Sequence, residues 1–462
     1  MANNGGALQA LARGKACEPG APRPLRVAVL LSGGVDSSLA LHLLKAAGHE
    51  VTAFYLQIWF QEDFRNFWDA CPWEEDLEYC QQVCQQLGVP LEVVPLTEQY
   101  WDRVVSHCIG EIRQGRTPNP DMLCNSRQVT SGADKVKFGA FYEHLEQKHG
   151  AAFDRVASGH YARLERPPVS QGAGREEACS QSSSSTGVFQ QSPSTSASRR
   201  SAGHSGSSSS SSSNSSCTSS GTSDESMPPV RLALTPDAVK DQTYFLAHLS
   251  QRQLARTMFP LGHLTKAQVR RLAAAAELPN KGRKDSQGIC FLGKVKFSEF
   301  VKEHLGEWPG PFVEEETQEV VGYHKGFWFH TVGQRKGVPL SGGPWYVTRK
   351  DPETNAVYLS RQYYDGDKLR NAFTCGSFNW IGGGPPAQEG GQVHCKVRHG
   401  PHMYPCSLQM EESGERGWVQ LDGNDQGLAA GQYAVFYQGG YCLGSAVITG
   451  NGTRVGDQER QR

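Results

Sequence analysis

Three short stretches of this chain carry residue types that do chemistry together. The first is Leu30-Leu31-Ser32-Gly33-Gly34-Val35-Asp36-Ser37-Ser38. It follows an apolar run and opens a helical pattern. Adjacent glycines let a backbone approach an anion closely. The N–H groups at the start of a helix hold phosphate, and Ser32, Ser37 and Ser38 add hydroxyl donors. No Gly-Lys-Ser/Thr follows, so this is not a Walker A loop. A plain glycine turn before a helix capped by Asp36 or Ser37 is the bland alternative. It leaves the coincidence of strand, glycines, carboxylate and paired serines without a reason.

The second stretch is residues 117–125 (TPNPDMLCN). Two prolines stiffen the turn, and Asp121 stands three residues before Cys124. If Asp121 begins a helix, Cys124 lies in its first turn, where the helix dipole lowers a thiol pKa. The carboxylate opposes that effect unless it serves as a proton carrier for a substrate. Taken alone, a single cysteine is more often a small core residue. The third stretch is residues 284–291 (KDSQGICF). Cys290 follows a polar turn close in sequence to Lys281, Arg283 and Lys284, and nearby cations favour a thiolate. Two thiols in polar turns suggest sulfur or redox chemistry. Cys80 and Cys84 at helical spacing, with Cys71, read as buried core rather than metal ligands.

The elements that must hold these residues alternate. Apolar runs at 26–31, 51–59, 91–94 and 155–158 read as strands; 37–46, 74–87 and 98–113 read as helices. Such alternation predicts an α/β domain with a doubly wound parallel sheet. Ligands bind such sheets at the carboxyl ends of the strands, which is where the first stretch falls. Residues 241–277 read as helical. From 312 the texture changes to short alternating strands at 319–323, 326–331, 345–348 and 356–359. Others follow at 393–397, 417–421, 432–437 and 442–447. These predict a small β domain and then a C-terminal β-barrel.

Composition narrows the function classes. Across 462 residues, 46 Lys and Arg oppose 47 Asp and Glu, so no global basic excess announces a nucleic-acid binder. Any such surface must be local, and residues 251–296 supply a candidate: ten Lys and Arg against Glu277 and Asp285. No run of about 18 apolar residues reads as a membrane span. The 13 cysteines are odd in number and scattered, which favours free thiols in a reducing compartment. In residues 170–227, 25 of 58 are Ser, too polar a tract to offset its ordering entropy. The domains read as a leader or transit segment (1–25), the α/β domain (26–295, interrupted by the disordered insertion 170–227), the small β domain (296–368), the barrel (369–452) and a tail (453–462).

The first stretch resembles the PP-loop of ATP pyrophosphatases, which split ATP between its α- and β-phosphates to adenylate an acceptor. Together with residues 115–125 (GRTPNPDMLCN), 158–163 (SGHYAR), 240–246 (KDQTYFL), 284–292 (KDSQGICFL), 330–337 (HTVGQRKG) and 436–444 (FYQGGYCLG), it makes the chain resemble the tRNA-specific 2-thiouridylases (tRNA uridine 2-sulfurtransferases), in their eukaryotic organellar form.

That resemblance implies an ATP site at Leu31, Ser32, Gly33, Gly34, Val35, Asp36, Ser37 and Ser38, with Leu56 and Gly159 also at the nucleotide and Mg²⁺ on Asp36. It implies Asn119, Pro120 and Asp121 at the target base, Cys124 as nucleophile, and Cys290 as carrier of a persulfide. Lys240, Asp241, Gln242, Arg398 and His399 would contact the tRNA; the family commonly has Tyr where His399 stands. The implied partners are tRNA for Lys, Glu or Gln and a cysteine desulfurase or sulfur relay, for a monomer in a mitochondrion or plastid, otherwise the cytoplasm. The other readings are a PP-loop ligase of the amidotransferase type, a catalytically impaired tRNA-binding homologue, and an iron–sulfur centre on Asp121, Cys124 and Cys290. One departure from the family is residues 128–135 (QVTSGADK), eight extra residues just after Cys124.

Overall fold

A computed structural model of the chain describes residues 4–14, 17–18, 23–58, 72–125, 136–166, 229–285, 297–363, 370–386, 390–425 and 427–451. Cys71, Cys290, residues 128–135 and the Ser-rich tract lie outside the described residues.

The first sheet begins with β1 (Arg26–Leu30), β2 (Glu50–Gln57), β3 (Leu91–Pro95) and β4 (Arg155–Ala157). After a hairpin of β5 (Arg163–Glu165) and β6 (Arg231–Ala233), it gains β7 (Thr257–Met258). All five strands are parallel, in the order β3-β2-β1-β4-β7. The strand β1 is apolar throughout its interior because both faces are covered. Val27 and Val29 enter one core cluster, Ala28 and Leu30 the other. Each fully buried Val or Leu contributes ~1.5–3 kcal/mol.

Helices cover each face. On one side lie α1 (Asn4–Ala12), α2 (Val35–Ala46) and α3 (Pro72–Leu87), whose Leu8, Leu39 and Cys80 share a cluster. The other side holds α4 (Thr97–Tyr100), a π-helical stretch Trp101–Val105, α5 (Ser106–Arg113), α6 (Pro120–Asn125) and α7 (Phe141–His149). Beyond them come α8 (Thr243–Leu246), α9 (Gln251–Arg256), α10 (Lys266–Ala275) and α11 (Phe297–Leu305). Of these, α10 joins the α1–α3 face through Val269 and Ala273.

The small β domain is a four-stranded sheet, order β10-β11-β8-β9. Its strands are β8 (Gly310–Glu314), β9 (Val320–His324), β10 (Tyr346–Asp351) and β11 (Ala356–Ser360). Six strands then close a barrel: β12 (Ala372–Trp380), β13 (His394–Lys396), β14 (Tyr404–Met410), β15 (Arg416–Leu421), β16 (Tyr433–Gln438) and β17 (Tyr441–Asn451). Pairing runs β12-β15-β14-β13-β16-β17, and β17 returns to β12. Cys375, Cys395 and Cys406 fill the interior with Phe373 and Phe436, as small apolar side chains do.

Three expectations change. Residues 241–277 are not one helical run: a capping box at Ser250 starts α9, and Thr257 and Met258 then form the edge strand β7. A two-residue strand is too short for any periodicity to reveal. Residues 326–331 are not a strand; Phe327–Phe329 make a 3₁₀ turn whose Phe327 and Trp328 are buried. The segment read as a leader contains α1, with Leu8, Ala12 and Cys17 buried. Glu18 just after it pairs with Arg155 and Arg166.

Candidate active site

The strand order reverses direction at β1, which has β2 on one side and β4 on the other. Loops leaving the carboxyl ends of β1 and β4 therefore diverge around a crevice. These are the loop Leu31–Gly34, extended into α2, and the loop Ser158–Gly159–His160. Their approach is close because Gly159 has no side chain: a Cβ there would lie 2.6 Å from the Ser37 nitrogen. Gly33 is equally constrained, with φ of 71° and a virtual Cβ 2.5 Å from the Asp76 carbonyl oxygen. Leu56 sits at the end of neighbouring β2, part-buried against the core.

The N-cap of α2 is Gly34, and no side chain caps it. The serines instead bind inward. Ser37 and Ser38 Oγ donate to the Gly34 carbonyl at 3.1 and 3.0 Å, and Ser32 N donates to Ser37 Oγ at 3.2 Å. The first-turn N–H groups of α2 are thus left for an anion, where the helix dipole is positive.

A cluster distant in sequence closes over this loop. Lys266, the first residue of α10, places Nζ 2.7 and 2.8 Å from the two Asp36 oxygens and 2.9 Å from Asp285. Tyr161 OH donates to Asp36 at 2.9 Å, and Lys266 lies over the Tyr161 ring. Burial and the Asp36 charge push the Tyr161 phenol far up, so it stays a donor. Asn280 Nδ2 donates to Gly33 O at 2.7 Å and Ser38 Oγ at 2.8 Å; Arg283 reaches Gly33 O at 3.2 Å and pairs with Asp76. Burial alone would raise Asp285, but Lys240 and Lys266 hold it far below the usual carboxylate range; Arg270 pairs with it too. His160 donates to or accepts from Ser158 Oγ at 2.8 Å, and burial with the Lys137 charge pushes it to about 3, so the ring is neutral.

Among the described residues, the basic run through residue 285 is accordingly not one continuous phosphate-tracking face. Arg252 and Arg256 pair with Glu146, whereas Lys266, Arg270 and Arg283 turn to the loop and its acids.

The thiol stretch is built differently. Asn119 is the N-cap of α6: its Oδ1 accepts from Met122 N at 3.1 Å, and Pro120 takes the first helical position. The helix therefore starts one residue earlier than supposed, so Cys124 falls just past the first turn. Its environment is core: Cys124 is 1% exposed, clustered with Met122, Leu123, Phe138 and Tyr244. The barrel braces the approach to α6. Thr117 N donates to Ala430 O at 2.8 Å, and Gln432 Nε2 donates to Thr117 O at 2.8 Å. Gly431, with φ of 91°, would bring a Cβ within 3.0 Å of Arg116 and Thr117.

Three family models match the chain in order. They are the tRNA methyl transferase HUP domain over residues 25–185 and 217–294, the tRNA methyl transferase PRC-barrel domain over 298–361, and the aminomethyltransferase beta-barrel domain over 370–448. The tRNA-specific 2-thiouridylase MnmA of Parabacteroides distasonis is 37% identical over 428 residues, covering 92% of this chain and 99% of its own. The protein of that name from Porphyromonas gingivalis is 37% identical over 431 residues, covering 92% and 99%. The chain belongs to the tRNA-specific 2-thiouridylase family.

A solved U34-tRNA thiolase, NcsA from Methanococcus maripaludis with its [4Fe-4S] cluster, shares 13% identity at a TM-score of 0.30, over 65% of this chain and 72% of its own. That likeness is too slight to bear on chemistry.

The residues that the 2-thiouridylase resemblance assigns to tRNA fall into two groups. Asp241 is turned inward, 2% exposed; its carboxylate accepts from Thr235 and from the Thr243 amide and hydroxyl. Gln242 is tied by both backbone and side chain to Tyr161, at 2.8 and 2.9 Å. Lys240 joins Asp285 at 2.8 Å and so belongs with the loop cluster. Arg398 is outward, 57% exposed, and is aimed by the buried Asp425. His399 stacks on Phe245 at 4.7 Å and meets the Asp241 carbonyl at 3.1 Å, so its ring joins the barrel to the 240–246 segment. Burial holds His399 below the usual imidazole range. Sequence reasoning missed Lys266, Asn280 and Tyr161 here, and set Arg283 beside Cys290 rather than at this loop. The Thr265–Gln268 capping box marked the start of α10, but nothing local says that α10 meets Asp36, 230 residues away.

Proposed function

We propose that the chain is an ATP-dependent sulfurtransferase that converts the C2 oxygen of a wobble uridine in tRNA to sulfur. The observation that carries this reading is the uncapped N-terminus of α2 after Gly33-Gly34, with Lys266 poised on Asp36. A triphosphate would meet the N–H groups there, and Lys266 would leave Asp36 to neutralise the departing pyrophosphate. The Asp36 carboxylate would hold a phosphate-bound Mg²⁺, and such an ion would screen the phosphate charge.

In this scheme the uracil C2 oxygen attacks the α-phosphorus and pyrophosphate leaves. The terminal sulfur of a Cys290 persulfide, supplied by a cysteine desulfurase or relay protein, then attacks C2, and AMP departs. The Cys124 thiolate attacks the Cys290 sulfur of the bridge. The S–S bond breaks, leaving 2-thiouridine and a Cys124–Cys290 disulfide for a thiol reductant to reset. Asp121 handles the proton lost from the base or thiol. Anticodon-loop bases can be splayed out to reach such a site. Because Cys124 is enclosed, α6 has to shift when RNA docks on the barrel rim that carries Arg398 and His399. Family membership sets aside the amidotransferase-type alternative; an organellar location remains part of the proposal.

The test combines purified protein, unmodified tRNA for Lys, Glu or Gln, Mg-ATP, a cysteine desulfurase and cysteine. Thiouridine detected by mass in the digested tRNA, with ATP cleaved to AMP and pyrophosphate, is the expected result. Binding of tRNA without either product would overturn it in favour of an impaired homologue.

A further inference from the structure

On the edge strand of the parallel sheet, two strands away from β1, three side chains converge. Glu92 is the second residue of β3, the edge strand. His144 is the fourth residue of α7 and His149 its last. His144 Nε2 lies 3.3 Å from Glu92 Oε1, and His149 Nε2 lies 3.2 Å from Glu92 Oε2. All three donor atoms fall within 4.8 Å of one another.

Those separations are informative. A tetrahedral Zn²⁺ with bonds of ~2.0–2.1 Å to nitrogen and oxygen sets its ligand atoms ~3.3–3.4 Å apart. Each imidazole nitrogen lies at about that edge length from one carboxylate oxygen, His144 from Oε1 and His149 from Oε2. Moreover, His149 Nε2 is buried and makes no hydrogen bond, although the carboxylate oxygen is 3.2 Å away. The pair is close but not aligned, as two ligands aimed at a common point would be. The His149 ring is fixed edge-on between Phe54 and Phe153, at 5.8 and 5.4 Å. The end of α7 adds the negative pole of its dipole, which favours a cation.

One group stands in the way. Lys148 Nζ is 2.5 Å from Glu92 Oε1, and its side chain is 53% exposed. An exposed ammonium on a flexible stem returns to water at little cost, so it acts as a placeholder for a stronger cation. Two imidazoles and one carboxylate suit zinc rather than Mg²⁺ or Ca²⁺, which prefer all-oxygen shells.

We propose that Glu92, His144 and His149 form a Zn²⁺ site that staples α7 to the edge strand β3. The fourth position would be water. Lying on the edge strand, two strands from the crevice between β1 and β4, the site would be structural and independent of the sulfur chemistry.

The test uses chelator-stripped full-length protein kept reduced and titrated with Co²⁺ and Zn²⁺. Visible absorption then separates nitrogen and oxygen ligation from thiolate ligation by the cysteines. The wild type is expected to bind one more equivalent than Glu92→Gln or His144→Ala, without thiolate charge-transfer bands and with a raised melting temperature. Lys148→Gln is expected to tighten that equivalent several-fold, because Glu92 then lacks its competing cation. Glu92→Gln should melt like the stripped wild type, which shows that it folds. Equal stoichiometry in wild type, Glu92→Gln and His144→Ala, or a cobalt spectrum of thiolate type alone, would overturn the site.

Discussion

The nucleotide loop and the thiol helix stand in opposite states in the same molecule. The loop is assembled without its ligand: Gly33 and Gly159 allow backbone to touch backbone, and the α2 N-terminus is uncapped. Asp36 already has a cation waiting on it. The helix α6 is sealed, with Cys124 in the core and its approach pinned to the barrel at Thr117. A site that binds a small, invariant ligand gains from preorganisation. A reactive thiol gains from enclosure, which shields it from oxidants until its substrate opens the way. In the proposed mechanism this difference gives adenylation to a rigid part and sulfur transfer to a part that the RNA must rearrange.

Substitutions on the loop side give the largest expected effects. Lys266→Met should lower pyrophosphate release by ~10²–10³-fold, the range for losing a charge-stabilising group, while Lys266→Arg keeps most of it. An unchanged rate for Lys266→Met would mean the lysine is only a structural counterion. Gly159→Ala comes next. Its Cβ must displace the start of α2, at a cost of ~1–3 kcal/mol, and ATP binding measured by calorimetry should weaken at least tenfold; unaltered affinity would place the nucleotide elsewhere.

On the thiol side, maleimide labelling of Cys124 in the native protein, followed by peptide mass, should be slower than in urea by ~100-fold or more, because labelling needs local opening. Fast native labelling would break the contrast. The smallest effect is on the salt dependence of tRNA affinity. Asp425→Asn, which releases the Arg398 fork, should reduce the salt slope by about one phosphate contact. An unchanged slope would place Arg398 off the RNA.

A pH dependence cuts across both halves. Burial pushes His160 to about 3 and His248 and His330 each to about 4. Their unfolded values lie near 6.5. Between these limits the unfolded chain takes up protons that the fold refuses. Their contribution is thus complete above pH 6.5 and is lost as pH falls toward 4, about 2 kcal/mol per histidine at pH 5. Urea midpoints at pH 7.5 and 5.0 should differ accordingly.

Much of this arrangement was legible in the sequence. The parallel sheet followed from apolar runs such as RVAVL before a glycine turn, and the barrel from alternating strands. The Asn119-Pro120 pair encoded a helix start, although Asp121 was taken as its first residue. What was not legible depends on long-range contacts. The run 251–296 displays its charges but not the acids that answer them, since Glu146, Asp36 and Asp76 come from other elements. The edge strand β7 exists only because β4 offers it a partner. Cys124 read from sequence either as a small core residue or as a nucleophile in a polar turn, and only the packing of Phe138 and Tyr244 around it reveals the enclosure.

The contrast between the two regions is tested most directly by comparing wild type with Cys124→Ser in one reaction containing tRNA, Mg-ATP and the sulfur donor, with pyrophosphate and 2-thiouridine both quantified. The account predicts pyrophosphate from both proteins and thiouridine only from the wild type. Thiouridine from Cys124→Ser, or loss of pyrophosphate together with thiouridine, would contradict it.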